Sequence, residues 1–330
     1  MFETATIRGI PLTPARVCAP LAGITHSAFR RLVAEFGGCG ALWTEMLAAK
    51  QILREDVRTS PCLRRRPVEK RVIYQLMVRD ADPLDRVIGR LSDARPDGLD
   101  INLACHAPAI RSVRAGSRLF ENPAVLRAVL DTARRCWPGL LTVKVRLGRD
   151  RPGWRELFAE RMRLFEDCGV DAVVLHPRFF EDKFKRRARH ELLSWAASLA
   201  RLPLIASGDI TGPESAAALG ERLAPACALM IGRMAAVRPW AFASWTRPVE
   251  VDHGAVWRQM CDYIAEDFAP ELVLGRIRLF ARYYARNFKF GHGFESAIRN
   301  VPSVSAARER AEEFFRRCPA LDGEPSLMGL

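Results

Sequence analysis

Short β-rich runs alternate with amphipathic helical segments over the first 245 residues of the chain. The runs read as strands near Val17–Leu21, Leu42–Glu45, Val72–Leu76, Leu99–Asn102, Leu141–Val145, Ala172–His176, Leu204–Ser207 and Ala228–Ile231. Between them, stretches such as PAVLRAVLDTARRC and LFAERMRLFEDCG carry apolar residues at helical spacing. The second stops at Gly169, where a C-cap glycine is expected. Eight strands alternating with helices predict an α/β chain folded as a (β/α)8 barrel, the TIM barrel. A doubly wound open sheet is the alternative, but no GxGxxG follows the first strand. After Trp245 the alternation stops, and the pattern is helical from Val256 to about Cys318. The expected organisation is a barrel over 1–245 and a small helical domain over 246–330, with ALDGEPSLMGL as a frayed tail.

In such barrels the active site lies at the C-terminal ends of the strands and in the loops that follow. Here those ends read Ala19-Pro20-Leu21-Ala22-Gly23, Thr44-Glu45-Met46, Gln75, Asn102, Lys144 with Arg146, His176 with Arg178, Ser207-Gly208-Asp209 and Ile231-Gly232-Arg233. Together they make a polar ring on one rim. Gly208, Asp209, Gly232 and Arg233 follow strands 7 and 8, where barrels commonly bind phosphate through backbone N–H groups. Glycine permits close backbone approach, and Arg233 adds a charge-assisted bond. Lys144, Gln75 and His176 supply a cation, an amide and an imidazole. That set suits a flat heterocycle that becomes anionic on reduction, of which flavin is an example.

Composition narrows the setting. The chain has 330 residues, 49% of them hydrophobic and 27% charged, as in a soluble globular protein. No apolar run approaches the length of a membrane span, and MFETATIRGIPLTP lacks the build of a signal peptide, so the cytoplasm is the expected compartment. Nine scattered cysteines without a CxxC pair argue against zinc or thioredoxin-like chemistry, and no metal is expected. The net charge of +13 points to a polyanionic partner, RNA or DNA first. Acidic and basic side chains balance over 251–330, so the excess lies in residues 1–250.

Several motifs then resemble the tRNA-dihydrouridine synthases. CAPLAGITHSAFRRLVAEFGG is similar to that family's APMAGxTDxxFR opening, and TEM, QL, DINLAC, VKVRLG, LHPR, ASGDI and MIGR follow in the family's order at about its spacing. The resemblance covers roughly Arg16 to Trp240. It implies an FMN-bound TIM barrel with a helical RNA-binding domain, reducing the C5–C6 double bond of uridine in tRNA with NADPH as electron source. It implies that Pro20, Leu21 and Ala22 border the flavin, that Gln75, Lys144 and His176 contact its ring system, and that Ser207, Gly208, Asp209, Gly232 and Arg233 hold the ribityl phosphate. It places Cys105 on the family's catalytic cysteine, which protonates C5 while hydride reaches C6. The chain departs from the family at His26 in place of Asp, at Ala104 and His106 where Gly and Pro flank the cysteine, at Pro108 and Ala109 where lysine is common, and at Ser207 in place of Asn.

Two basic clusters are candidate RNA contacts. In ELVLGRIRLFARYYARNFKF, Val273, Ile277, Phe280, Tyr284 and Phe288 form an apolar stripe, with Arg278, Arg282, Arg286 and Lys289 on the opposite face of one continuous helix. KFKRRAR (Lys183, Lys185, Arg186, Arg187 and Arg189) follows strand 6 on the catalytic rim. Asn102, Arg146 and Arg178 complete the expected RNA-facing set at the mouth, and RRR at 64–66 is a third basic run. The chain is expected to work as a monomer. Two other readings stay open: an FMN barrel reducing a small pyrimidine-like molecule, and an RNA-binding protein of this fold without turnover.

Overall fold

The computed structural model describes residues 2–80, 82–182 and 184–330. Its main sheet contains a closed ring of eight parallel strands: β1 (Arg16–Cys18), β2 (Ala41–Trp43), β3 (Val72–Met77), β4 (Gly98–Asn102), β5 (Leu140–Arg146), β6 (Ala172–His176), β7 (Leu204–Ser207) and β8 (Ala226–Ile231). The two-residue strand Leu47–Ala48 also pairs with β3. Neighbours pair in sequence order, β8 pairs with β1, and the β2–β3 pairing Leu42↔Val72 and Trp43↔Ile73 completes the ring. This is the TIM barrel that the strand count predicted. The first strand stops at Cys18, three residues before the sequence suggested, because Pro20 has no N–H for the ladder.

Side chains on alternate strand positions sort into two apolar layers. Val17, Trp43, Ile73, Val174, Ile205, Ala228 and Met230 fill the barrel interior, whereas Leu42, Val72, Val173, Leu175, Leu204 and Leu229 meet the surrounding helices. An N-terminal hairpin, Ala5–Ile7 paired with Ile10–Leu12, adds Ile7 and Leu12 to the interior layer. Arg8 at its turn donates to Pro138 O and pairs with Asp171, beside the starts of β5 and β6, so the hairpin closes the end opposite the site. Helix ends follow local chemistry. Asn122 accepts from Val125 N ahead of Pro123–Cys136, and Gly169, at φ +71°, ends Trp154–Asp167 as expected.

Four longer helices follow the barrel: α1 (His253–Asp267), α2 (Pro270–Tyr284), α3 (Gly291–Arg299) and α4 (Val304–Arg316). Asp252 and Ser303 cap α1 and α4. Trp257, Phe280, Tyr284, Phe288, Phe294 and Phe314 form their shared aromatic core. The tail is not frayed. Leu321 bridges to Phe288, Lys289 N donates to Ala320 O, and Asp322 N donates to Asn287 O. Arg238 Nη2 donates to Asp322 O (2.6 Å), so backbone pairing and guanidinium contacts hold a segment that composition alone marks as loose. The RRR run is no free cationic patch either. Arg64 and Arg66 both reach Asp267 at the end of α1, and Arg65 donates to three backbone carbonyls and pairs with Asp97. That run joins barrel to helices.

Candidate active site at the barrel mouth

The sheet register sets the strand ends beside one another: Gln75 opposite Asp100, Asn102 opposite Lys144, and Arg146 opposite His176. Above them lies a cavity of about 570 Å³. Pro20, Leu21, Ala22, Gln75, Asn102, Cys105, Lys144, Arg146, His176, Ser207, Gly208, Asp209, Gly232 and Arg233 all line it. The Pro20–Gly23 loop is pinned from two sides, since Gly23 N donates to Glu45 Oε2 and Arg276 of α2 donates to Gly23 O.

A buried polar chain runs from the barrel wall to Cys105. Thr142 Oγ1 donates to Asp100 Oδ1 (2.5 Å), and Gln75 Nε2 donates to Asp100 Oδ2 (2.6 Å). Asn102 Nδ2 donates to Gln75 Oε1 (2.8 Å), and Asn102 Oδ1 accepts from the backbone of Ala104 (3.2 Å) and Cys105 (3.0 Å). Each amide orientation is thereby fixed by its neighbour. Burial pushes the Asp100 carboxyl up to about 6, against the opposing pull of its Gln75 and Thr142 hydrogen bonds. Asn102, expected to face RNA, is instead 4% exposed and holds the cysteine loop.

Positive charge gathers on the other wall. Burial lowers the Lys144 ammonium to about 8, Arg146 adds to the fall, and Asp100 opposes it. Arg146 is itself lowered to about 10, by burial first and then by Arg178. Burial, followed by Lys144, Arg146, Arg178 and Arg233, holds His176 well below the usual imidazole range, so it is neutral. Arg178 Nη1 lies 2.9 Å from His176 Nε2. A guanidinium only donates, so Nε2 accepts and the ring proton sits on Nδ1.

Arg178 was expected on the RNA side, but only 2% of it is exposed. Its Nη2 donates to both oxygens of Asp209 (2.7 Å each) and its Nε to Arg186 O. Asp209 Oδ2 also accepts from Ala188 N, so its carboxylate is engaged by the protein on two sides. Gly208 has φ +99°, and a Cβ there would lie 2.5 Å from His176 Cδ2, which excludes any other residue. Arg233 Nη1 donates to Leu327 O in the tail (2.9 Å), and Leu327 and Leu330 line the same cavity.

The four cations expected on one helix face do not share a helix. α2 ends at Tyr284, a short 3-10 turn covers Ala285–Asn287, and Arg286 and Lys289 therefore fall beyond it. Arg278 Nη2 donates to Val301 O (2.5 Å), and Arg282 donates to Gly329 O. The apolar stripe ran on to Phe288 in the sequence because that ring still packs on Tyr284 after the helix has ended. On the strand 6 loop, Lys185, Arg186 and Arg187 are exposed, and Lys183 lies outside the described residues. Phe180, Phe184, Tyr283 and the tail leucines also line the cavity without a sequence signal that marks them, and so does His106, which the sequence shows only as a departure from the family pattern. Phe184 was hidden inside a run read for its cations. Its ring lies under Arg233 (4.4 Å) and Arg146 (5.1 Å). No helix among the described residues is long and apolar enough to cross a membrane.

Comparison with known proteins follows the same lines. Solved structures with this architecture include the old yellow enzyme homologue from Zymomonas mobilis (TM-score 0.54, 12% identity, 79% of this chain and 98% of that one). The old yellow enzyme from Trypanosoma cruzi aligns similarly (TM-score 0.53, 8% identity, 76% and 93%). At those identities the likeness concerns the fold. Sequence relatives include the tRNA-dihydrouridine synthase B of Pectobacterium carotovorum (32% identical, covering 94% of this chain and 92% of the relative) and that of Escherichia coli K12 (32%, 91% and 95%). The family model "Dihydrouridine synthase (Dus)" matches residues 17–318. The chain belongs to the dihydrouridine synthase family.

Proposed function

We propose that this protein is an oxidoreductase that uses FMN to reduce the C5–C6 double bond of uridine in tRNA, with NADPH as the electron source. The observation that carries the reading is that Cys105, Lys144 and His176 line one cavity whose rim ends in Gly208, Gly232 and Arg233. The names of the sequence relatives support the substrate.

The residues suit FMN. Lys144 Nζ has no hydrogen-bonding partner among the described residues, and it stands with the Nδ1–H of neutral His176 on one wall. A free cation and a donor stabilise a ring edge that gains negative charge. Gly208 and Gly232 let backbone approach a phosphate, with Arg233 as the charge partner. Pro20, Leu21 and Ala22 offer a mostly apolar border to a flat ring. When bound, the flavin supplies a hydride to uridine C6. Cys105 then donates its Sγ proton to C5, and the thiolate recovers a proton from water. Gln75 and Asn102 act upstream of that step by fixing the loop that carries the cysteine.

We further propose residues 1–245 as the catalytic unit and 246–330 as an RNA-binding unit. Lys185, Arg186 and Arg187 at the rim, with exposed Arg282 and Lys289, are the proposed phosphate contacts. Protein purified with FMN should be yellow. Anaerobic reduction by NADPH followed by addition of unmodified tRNA should restore the oxidised spectrum much faster than addition of uridine or another small pyrimidine. Equal rates would favour a small-molecule reductase, and failure to take up FMN would end the proposal.

A further inference from the structure

His106 follows Cys105 directly, and its ring is fixed on three sides. It stacks on buried Phe180 with centroids 5.0 Å apart and planes 14° from parallel. Its Nδ1 lies 3.2 Å from Ser117 Oγ and 3.4 Å from Arg111 Nη1. Arg111 Nη1 donates to Ser117 Oγ (2.9 Å), which leaves the serine hydroxyl proton available to Nδ1. Glu121 pairs with Arg111 and is itself held by Arg149 (2.6 Å).

These contacts favour one tautomer. The Arg111 guanidinium, shared with Ser117 and Glu121, repels a proton on Nδ1, and the Ser117 hydroxyl can donate there, which puts the ring hydrogen on Nε2. Burial, then Arg111 and Arg149, pull the imidazole below its usual range and keep it neutral. Nε2 has no partner among the described residues, while the residue lines the cavity. The site therefore holds an oriented N–H donor with no protein partner among the described residues, on the residue after the proposed acid.

We propose that His106 Nε2–H donates a hydrogen bond to uridine O4 and stabilises the enolate formed during reduction. The inference rests on the uridine-reducing reading above. Hydride addition forms the C6–H bond, and the C5=C6 π electrons move toward C4, placing negative charge on O4. The Cys105 Sγ–H bond then breaks as its proton reaches C5, and the C4=O4 carbonyl returns. O4 is bonded to C4, the neighbour of the carbon that Cys105 protonates, so a donor beside Cys105 is suitably placed. A preorganised donor aimed at developing charge accelerates the step more than it strengthens ground-state binding.

The test compares wild type with His106→Phe, which keeps a ring to stack on Phe180 but has no N–H. Reoxidation of the NADPH-reduced, FMN-loaded protein is followed with unmodified tRNA transcript and with transcript carrying 4-thiouridine, whose sulfur accepts hydrogen bonds poorly. The expected result is a roughly 10–100-fold fall on uridine, a fall of less than about threefold on 4-thiouridine, and unchanged flavin reduction by NADPH. Equal falls on both transcripts, or none on uridine, would overturn the role of His106. If His106→Phe does not hold FMN, His106→Leu is measured in its place with the same criteria. Absence of dihydrouridine from wild type with the uridine transcript would instead overturn the underlying function, and this inference with it.

Discussion

The side-chain carbonyl of Asn102 accepts the backbone N–H of Cys105 at 3.0 Å, so the proposed acid is positioned from the end of the preceding strand. Asn102 is oriented in turn by Gln75, and Gln75 by Asp100. Asn102→Ala should leave the protein yellow and reducible by NADPH. It should slow tRNA-dependent reoxidation by about 10²-fold, the cost of misplacing a reacting group by roughly an ångström. Stopped-flow absorbance separates the two half-reactions.

Lys144 should be a site where function costs stability. Its folded value of about 8 lies below its ordinary 10.5, so between those values the folded protein holds fewer protons than the unfolded chain. The penalty for keeping this cation is full below pH 8 and is relieved as pH rises towards 10.5. Lys144→Met should therefore stabilise the flavin-free protein at pH 7 by on the order of 1–3 kcal/mol, with the gain shrinking by pH 10. The same variant should reduce bound FMN slowly. Urea melts at the two pH values check the first statement, and anaerobic NADPH titration the second.

Asp267 carries both Arg64 and Arg66 at the junction of barrel and helices, with its own side chain fully covered. Asp267→Ala should destabilise the protein by about 1–3 kcal/mol, because Arg64 loses its carboxylate partner while Arg66 keeps Glu266. Arg64→Gln should leave tRNA affinity within about twofold, whereas Arg187→Gln should weaken it and lower the salt slope by about one unit. Filter binding across a salt series distinguishes a structural run of arginines from an RNA-facing one.

The tail shares Arg233 with the proposed phosphate site. Leu327 O accepts from its Nη1, and Leu327 and Leu330 line the cavity. Deleting residues 326–330 should speed release of FMN by about tenfold or more, because a covering segment is lost. Arg233→Ala should weaken FMN binding further by removing the cation as well. Fluorescence recovery of released flavin measures both.

Much of this was legible in the sequence for a definite reason. Val72–Met77, Leu140–Arg146 and Ala172–His176 are β-rich runs ending in polar residues, and a barrel places all such ends on one rim. Fourteen expected site residues thus share a cavity without any of their contacts being foreseeable. Periodicity was blind to commitment. Arg178, Arg278 and Asn102 carry polar groups suited to RNA, yet partners distant in sequence, Asp209, Val301 and Gln75, already engage them. The end of α2 was missed because Phe288 keeps the apolar rhythm while the backbone has left the helix. The docked tail had no local signal, since its order comes from Arg233, Arg238 and Arg282.

The decisive measurement is mass-spectrometric mapping of dihydrouridine in unmodified tRNA incubated with FMN, NADPH and purified protein. Wild type should convert uridine to dihydrouridine, and Cys105→Ala, still yellow, should form essentially none. No dihydrouridine from yellow, NADPH-reducible wild type, or equal yields from both proteins, would contradict the assignment of reaction or of acid.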